Sequence, residues 1–175
     1  MTIRPATAKD APSIAVIYAH HVRHGTATFD TAPRSVADTA GRIADCAARG
    51  WPYLVMESDE QVVGYAYATQ FRDRPAYGFA CENSIYLHPD HIGRGLGKAL
   101  LAALLDAAAA AGFRQMIAVI AGGETASIGL HAGQGFHHAG TMQSVGRKFG
   151  RWLDTIYMQV ALGAGDREAP GREPQ

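Results

Sequence analysis

Apolar residues recur along the chain with two different periods. Ile14, Ile17, Tyr18 and His21 stand at helical spacing and predict a helix running to about Arg23. Thr7-Ala8-Lys9-Asp10 before it reads as a capping box with Asp in the acidic position. Val36, Ala40, Ile43 and Ala47 share one face of a second predicted helix, opened by Ser35 and ended by Gly50. The period then shortens. Tyr53–Met56 and Val62–Ala68 flank the polar stretch Glu57–Gln61, which predicts a hairpin, and Tyr65 and Tyr67 alternate with alanines as sheet packing. Thr2–Arg4 and Ser84–Leu87 predict short strands, and Met116–Ile120 a buried one. Leu96–Ala111, almost wholly Ala and Leu, predicts a long helix. Ser127–His131 starts a short helix that breaks at Gly133-Gln134-Gly135, and Leu153–Ala161 alternates as a final strand.

That order predicts an α/β fold with one mixed sheet and helices packed on it. At 175 residues the chain is one domain by size. We expect the domain over residues 1–162, and a disordered tail over 163–175, where Gly, Pro and charge concentrate. Acidic and basic residues balance at 16 each, so no bulk charge argues for nucleic acid or a membrane surface as partner. Asp106 interrupts the longest apolar run, so no segment is expected to span a membrane. The two cysteines lack CxxC spacing, which suits a reduced, cytoplasmic protein.

The strongest chemical signal lies between a strand and the long helix, at His91-Ile92-Gly93-Arg94-Gly95-Leu96-Gly97-Lys98. Glycines let the backbone approach a ligand, and the unpaired N–H groups of a helix start favour a phosphate. The Walker pattern fails, because Ala99 follows Gly97-Lys98 and position 92 is Ile. The dinucleotide pattern fails as well, since Lys98 or Leu100 stands where its third glycine belongs. His20 and His24 lie four apart, but no Cys or carboxylate cluster completes a metal site, so no metal is expected. His88-Pro89-Asp90-His91 is expected to shape the turn.

With these residues in view the chain resembles the GNAT superfamily of acetyl-CoA-dependent N-acetyltransferases, whose signature is Gln/Arg-x-x-Gly-x-Gly/Ala before a helix. Gly95 and Gly97 match its glycines, and Ile92 stands where Gln or Arg is usual. Glu82–Leu87, Gly64–Ala68, Arg72-x-Arg74-x-Ala76-Tyr77 and Lys148–Asp154 look like the phosphinothricin acetyltransferase family, whose members acetylate phosphinothricin, methionine sulfoximine or related small amino acids. The resemblance runs from about Ile3 to Leu162.

The resemblance implies the GNAT fold and acetyl-CoA as co-substrate, bound by Gly93, Arg94, Gly95, Leu96, Gly97 and Lys98, with Ser127 beside it. It implies a backbone N–H near Tyr86 or Leu87 for the thioester oxygen, a small amino-acid-like amine as acceptor, and a homodimer. Glu124 stands where the family often has Asn; an ionised Glu cannot donate a hydrogen bond.

Glu82 follows the apolar Phe79-Ala80-Cys81, where a partly buried carboxylate gains basicity, and the family's catalytic Glu sits at this position. A surface Glu at a strand end is the other reading. The family's catalytic His corresponds to His131, which serves as acid, base or positioning group, or simply packs beside Phe136. Arg72 and Arg74, spaced to face one side of an extended segment, suit a carboxylate or phosphinate, with Tyr77 and Phe29 as apolar walls; the alternative is an exposed turn. The function expected is direct acetyl transfer to an amino-acid α-amine. The rivals are a peptide N-terminus or polyamine as acceptor, or a CoA-binding sensor without turnover. The physiological acceptor stays open.

Overall fold

The computed structural model describes residues 1–171 and 173. Local chemistry sets the first elements. In β1 (Thr2–Pro5), Arg4 reaches forward to Asp10, whose carboxylate also accepts from the Thr7 N–H at 2.7 Å in the expected capping box. The arginine and that hydrogen bonding hold the Asp10 carboxyl down at about 2. Pro12 in the first turn of α1 (Ala11–His24) has no N–H to leave unpaired. Ser35 and Asp38 exchange hydrogen bonds at the start of α2 (Val36–Ala48), and Gly50 leaves its end with φ of +68°.

The buried face of α2 is Thr39, Ile43 and Cys46, whereas Val36 and Ala47 are exposed. The expected apolar face is therefore rotated by about half a residue step. Three of its four members are Val or Ala, and the tyrosine surface beneath takes the deeper Thr39–Ile43–Cys46 ridge instead.

β2 (Tyr53–Ser58) and β3 (Gln61–Gln70) form the hairpin, longer than expected, around Asp59 and Glu60. Both turn residues have positive φ, matching the right-handed strand twist. β4 (Ala80–Leu87) begins four residues before the expected strand, so Glu82 lies inside it. Then come α3 (Leu96–Ala110), β5 (Gln115–Ala121), α4 (Thr125–Ala132), β6 (His137–Lys148) and β7 (Arg151–Ala161). β6 had no visible signal, because it is the sheet's edge strand and almost every residue in it is exposed.

One seven-stranded sheet results, in the order β1-β2-β3-β4-β5-β7-β6, with only β4 and β5 parallel. On one face α1 and α2 cover Tyr53, Val55, Tyr65, Tyr67 and Tyr86. On the other, Leu100, Leu101 and Leu104 of α3 pack fully buried against Met56, Ala66, Ala68, Cys81 and Met116. Each such leucine stabilises the fold by about 1.5–3 kcal/mol. Residues 163–168, in the stretch expected to be disordered, form turns at the end of β7, and Gly165 is buried. Arg172, Pro174 and Gln175 lie outside the described residues.

Candidate active site

The site exists because two parallel strands stop pairing. β4 and β5 are in register at Ala80/Gln115, Cys81/Met116 and Glu82/Ile117, and no further. Beyond Glu82 they part. A cavity of about 340 Å³ opens there, between the strand ends and the loop 26–30 that follows α1. Glu82, Asn83, Ser84, Ile85 and Tyr86 form one wall, and Val119, Ile120, Ala121, Ser127 and His131 another.

Strand alternation divides the labour. Glu82, Ser84 and Tyr86 pair with Thr69, Tyr67 and Tyr65, on the face covered by α1 and α2. Asn83 points to the opposite face, toward α4. The half-buried Glu82 carboxylate has no salt bridge or side-chain hydrogen bond among the described residues. Burial raises its pKa above the ordinary 4.5, and the Arg72 charge only partly offsets that. A carboxylate so placed can accept a proton at neutral pH.

His131 is 2% exposed. Its Nδ1 lies 2.8 Å from the main-chain oxygen of Ser127, which can only accept, so Nδ1 carries a proton. Burial lowers its pKa below 6.5, and the neutral ring is left with Nε2 as acceptor, 3.1 Å from the side-chain amide nitrogen of Asn83. Phe136 closes the ring's flank edge-on at 4.9 Å. His131 thus both borders the cavity and packs beside Phe136.

A 3-10 turn, Pro89–His91, leads into the glycine stretch as expected. Gly93 and Gly95 have φ of +79° and +77°, and nothing lies within 4 Å of where a Cβ would stand. Gly95 is the N-cap of α3, with Arg94 and Lys98 exposed on either side. Gly97 does something else. It is buried, and a Cβ there would meet Leu130 at 3.3 Å, so its small size lets α3 settle against α4. Leu96 is half-buried against the core. An open backbone turn at a helix start, flanked by two cations, fits a pyrophosphate. Ile92, 55% exposed, adds no donor.

The Leu87 and Tyr86 positions separate cleanly. The His88 N–H donates to Val63 of β3 at 2.8 Å. Alternation along β4 then aims the Tyr86 N–H at β3 as well, and the Leu87 N–H into the gap. The Leu87 carbonyl accepts from His21 at 2.8 Å, which pins this strand end to α1.

Phe29 lines the cavity, but Arg72, Arg74 and Tyr77 line a separate shallow depression with Asp73. The expected extended segment is instead a series of bends, with the Arg72 guanidinium folded 4.0 Å over Phe71. β3 ends at Gln70, the bends run over residues 71–74, and a 3-10 turn follows from Pro75.

Several lining residues carry no legible sequence signal. Thr26, whose hydroxyl donates to the Glu124 carboxylate, Thr28, Asp30, Arg34 and Arg42 all face the cavity. The buried Lys148 ammonium donates to the carbonyls of Gly25 at 2.9 Å and Thr28 at 2.8 Å, and so holds the loop from behind. In sequence, Lys148 sits among Arg147, Phe149 and Arg151 with nothing to mark it as internal.

This geometry has relatives. The family description of an acetyltransferase (GNAT) domain matches residues 3–157. A phosphinothricin N-acetyltransferase of Alcaligenes faecalis is 48% identical over 97% of this chain and 86% of its own length. An L-methionine sulfoximine/L-methionine sulfone acetyltransferase of Salmonella typhimurium is 42% identical over 93% of this chain and 95% of its own. Among solved structures, a phosphinothricin acetyltransferase from Sinorhizobium meliloti in complex with AcCoA superposes with a TM-score of 0.95 at 46% identity, covering 99% of this chain and 94% of that one. The parted strands, the glycine turn and these matches have one reading: the chain belongs to the GNAT acetyltransferase family.

Proposed function

We propose that the protein moves the acetyl group of acetyl-CoA to the α-amine of a small amino-acid-like acceptor, of the phosphinothricin and methionine sulfoximine type. The observation that carries this is Glu82, an unpartnered, half-buried carboxylate of raised pKa in the wall where β4 and β5 part. The activities named for the relatives support the same acceptor class.

Acetyl-CoA supplies an activated acyl carbon and a thiolate leaving group. The turn from Gly93 to Lys98 holds its pyrophosphate, and Ser127 borders the gap. The Leu87 N–H offers a fixed donor where the acyl oxygen gains charge, while the Tyr86 ring supports the wall. Glu82 takes up the amine proton, directly or through water. His131, neutral and engaged at both ring nitrogens, acts as a positioning residue that ties α4 to β4 through Asn83. Transfer is direct. Burial raises both thiols, Cys81 up to about 12, so neither is a ready nucleophile. At the rim, Arg72 bears on Glu82 electrostatically, and with Arg74 and Tyr77 takes the α-carboxylate beside the amine.

Two further assignments go with this reading. Val145, Phe149 and Trp152 stand exposed on the β6–β7 hairpin, which supports a homodimer built there. Trp152→Glu should halve the mass seen by sedimentation if so; an unchanged mass overturns it. Free, buried cysteines support a cytoplasmic location, and no helix among the described residues is long and apolar enough to cross a membrane.

The test is thiol release from acetyl-CoA with a panel of amines. Release with phosphinothricin or methionine sulfoximine, lost in Glu82→Gln, is the expected result. CoA binding without turnover on any amine would overturn it in favour of a sensor.

A further inference from the structure

The side of the cavity toward α2 holds two arginines that acetyl transfer does not require. Arg34 lies with its guanidinium 4.2 Å over the Tyr18 ring and its Nη2 3.1 Å from Asp30. Arg42 reaches in from α2 and donates from Nη2 to the Tyr67 hydroxyl at 3.3 Å. Its Nε–H is buried and unpartnered, the one such side-chain polar atom among the described residues. Nor does Arg42 have a carboxylate partner among them.

A guanidinium has five N–H donors and no acceptor, so a buried one calls for an oxygen-bearing partner. Buried donors without one are rare in native proteins and mark a missing ligand or water. Charge gives the same indication. Asp30 pairs with Arg34, whereas none of the cavity's carboxylates, Asp30, Glu82 or Glu124, forms a salt bridge with Arg42 among the described residues.

The position of Tyr67 and Arg42 relative to Glu82 defines what can reach them. Glu82 pairs with Thr69, and Ser84 with Tyr67, on the same sheet face. Two residues along a strand span about 7 Å. A group bound against Tyr67 and Arg42 is therefore one extended amino-acid side chain away from an amine at Glu82. We propose that Arg42, with Arg34, forms an oxyanion subsite for a singly charged acidic group at the far end of the acceptor's side chain, such as a phosphinate or carboxylate. The inference rests on Glu82 as the amine's base. It divides the acceptor between two cationic places: the α-carboxylate at the rim, and the side-chain terminus inside.

The experiment compares phosphinothricin, methionine sulfone and norleucine, which share an α-amino-acid head and differ in an anionic, neutral polar or apolar tail. Thiol release is measured for the wild type, Arg42→Met and Arg42→Lys. Loss of a charge-assisted hydrogen bond should raise the ratio of KM for phosphinothricin to KM for norleucine by roughly tenfold to a hundredfold in Arg42→Met. Methionine sulfone should shift less, and Arg42→Lys should lie between. A ratio unchanged, or a KM raised alike for all three, overturns the subsite. Thermal protection by phosphinothricin without acetyl-CoA gives a second readout. It should exceed protection by norleucine in the wild type and lose that excess in Arg42→Met; equal protection of both proteins overturns the subsite. Wild-type protein that releases no thiol with any acceptor, yet shows this selective protection, would sink the transferase reading and leave the subsite standing.

Discussion

His131 and Asn83 bridge the place where the sheet opens: the imidazole Nε2 lies 3.1 Å from the amide nitrogen of Asn83, one residue along β4 from Glu82. The bridge joins α4 to the strand that carries Glu82, from the face opposite the Glu82 side chain. It also engages the ring nitrogen that would otherwise exchange protons with the cavity.

Asn83→Leu should accordingly lower kcat while leaving the pH–rate profile unchanged in shape. It strands a buried Nε2 acceptor, at a cost of about 1–3 kcal/mol in stability. His131→Gln should likewise retain the limb that belongs to Glu82 and remove no second one. Loss of a limb in His131→Gln would show that the ring transfers protons after all.

Folding has its own pH dependence through the same ring. Burial depresses the pKa of both His131 and His21, so the unfolded chain binds more protons than the folded one between the folded values and 6.5. Stability is then fully present above 6.5 and declines as pH falls through that window. Thermal melts between pH 7.5 and 5, as rough bounds on that window, should show the decline, with a shallower slope in His131→Gln. A flat wild-type profile contradicts the depressed pKa values.

Glu82 gives activity an acid limb of its own. Its raised pKa places the acid limb of kcat/KM above pH 4.5, because the base works only when deprotonated. Glu82→Gln should lose about 10²–10⁴ in kcat. Since Arg72 holds that pKa down, Arg72→Gln should move the limb to higher pH. A limb that moves the other way removes Arg72 from the site.

Phe29 owes its place to Gly146 of β6. A Cβ at 146 would stand 2.7 Å from the Phe29 ring, which is 40% exposed and free to shift outward. Gly146→Ala should raise KM for the acceptor and leave KM for acetyl-CoA alone, with a stability loss below the ~1–3 kcal/mol of an overpacked core. An equal rise in both constants would mean that the wall belongs to the whole site.

Lys148 secures the same loop from inside. Lys148→Met leaves the Gly25 and Thr28 carbonyls without their donor. Amide exchange in residues 25–30 should speed up, and KM for the acceptor should rise. Unchanged exchange there would show that the loop holds itself.

The glycine turn was legible as a candidate anion site because its signal is local: glycines, flanking cations and a following apolar helix occupy one continuous stretch. Glu82 was legible only through the family pattern, since a strand-end Glu has no sequence mark of burial. The extended segment expected to carry Arg72 and Arg74 is a run of bends after β3 ends at Gln70, and the two still line one depression with Tyr77. β6 was invisible because an exposed edge strand needs no alternation.

Periodicity, capping residues and glycines determined the helices, most of the strands and the glycine turn, since each depends on neighbours within a few positions. The site itself needed the tertiary structure. Where β4 and β5 separate is decided by packing between elements distant in sequence, and so is the burial that sets the proton affinity of Glu82 and His131. Arg42 and Lys148 read as ordinary surface cations along the chain. Lys148 becomes internal, and Arg42 comes to line the cavity, only when α2 and β6 meet the loop after α1, because burial is a property of the assembled fold.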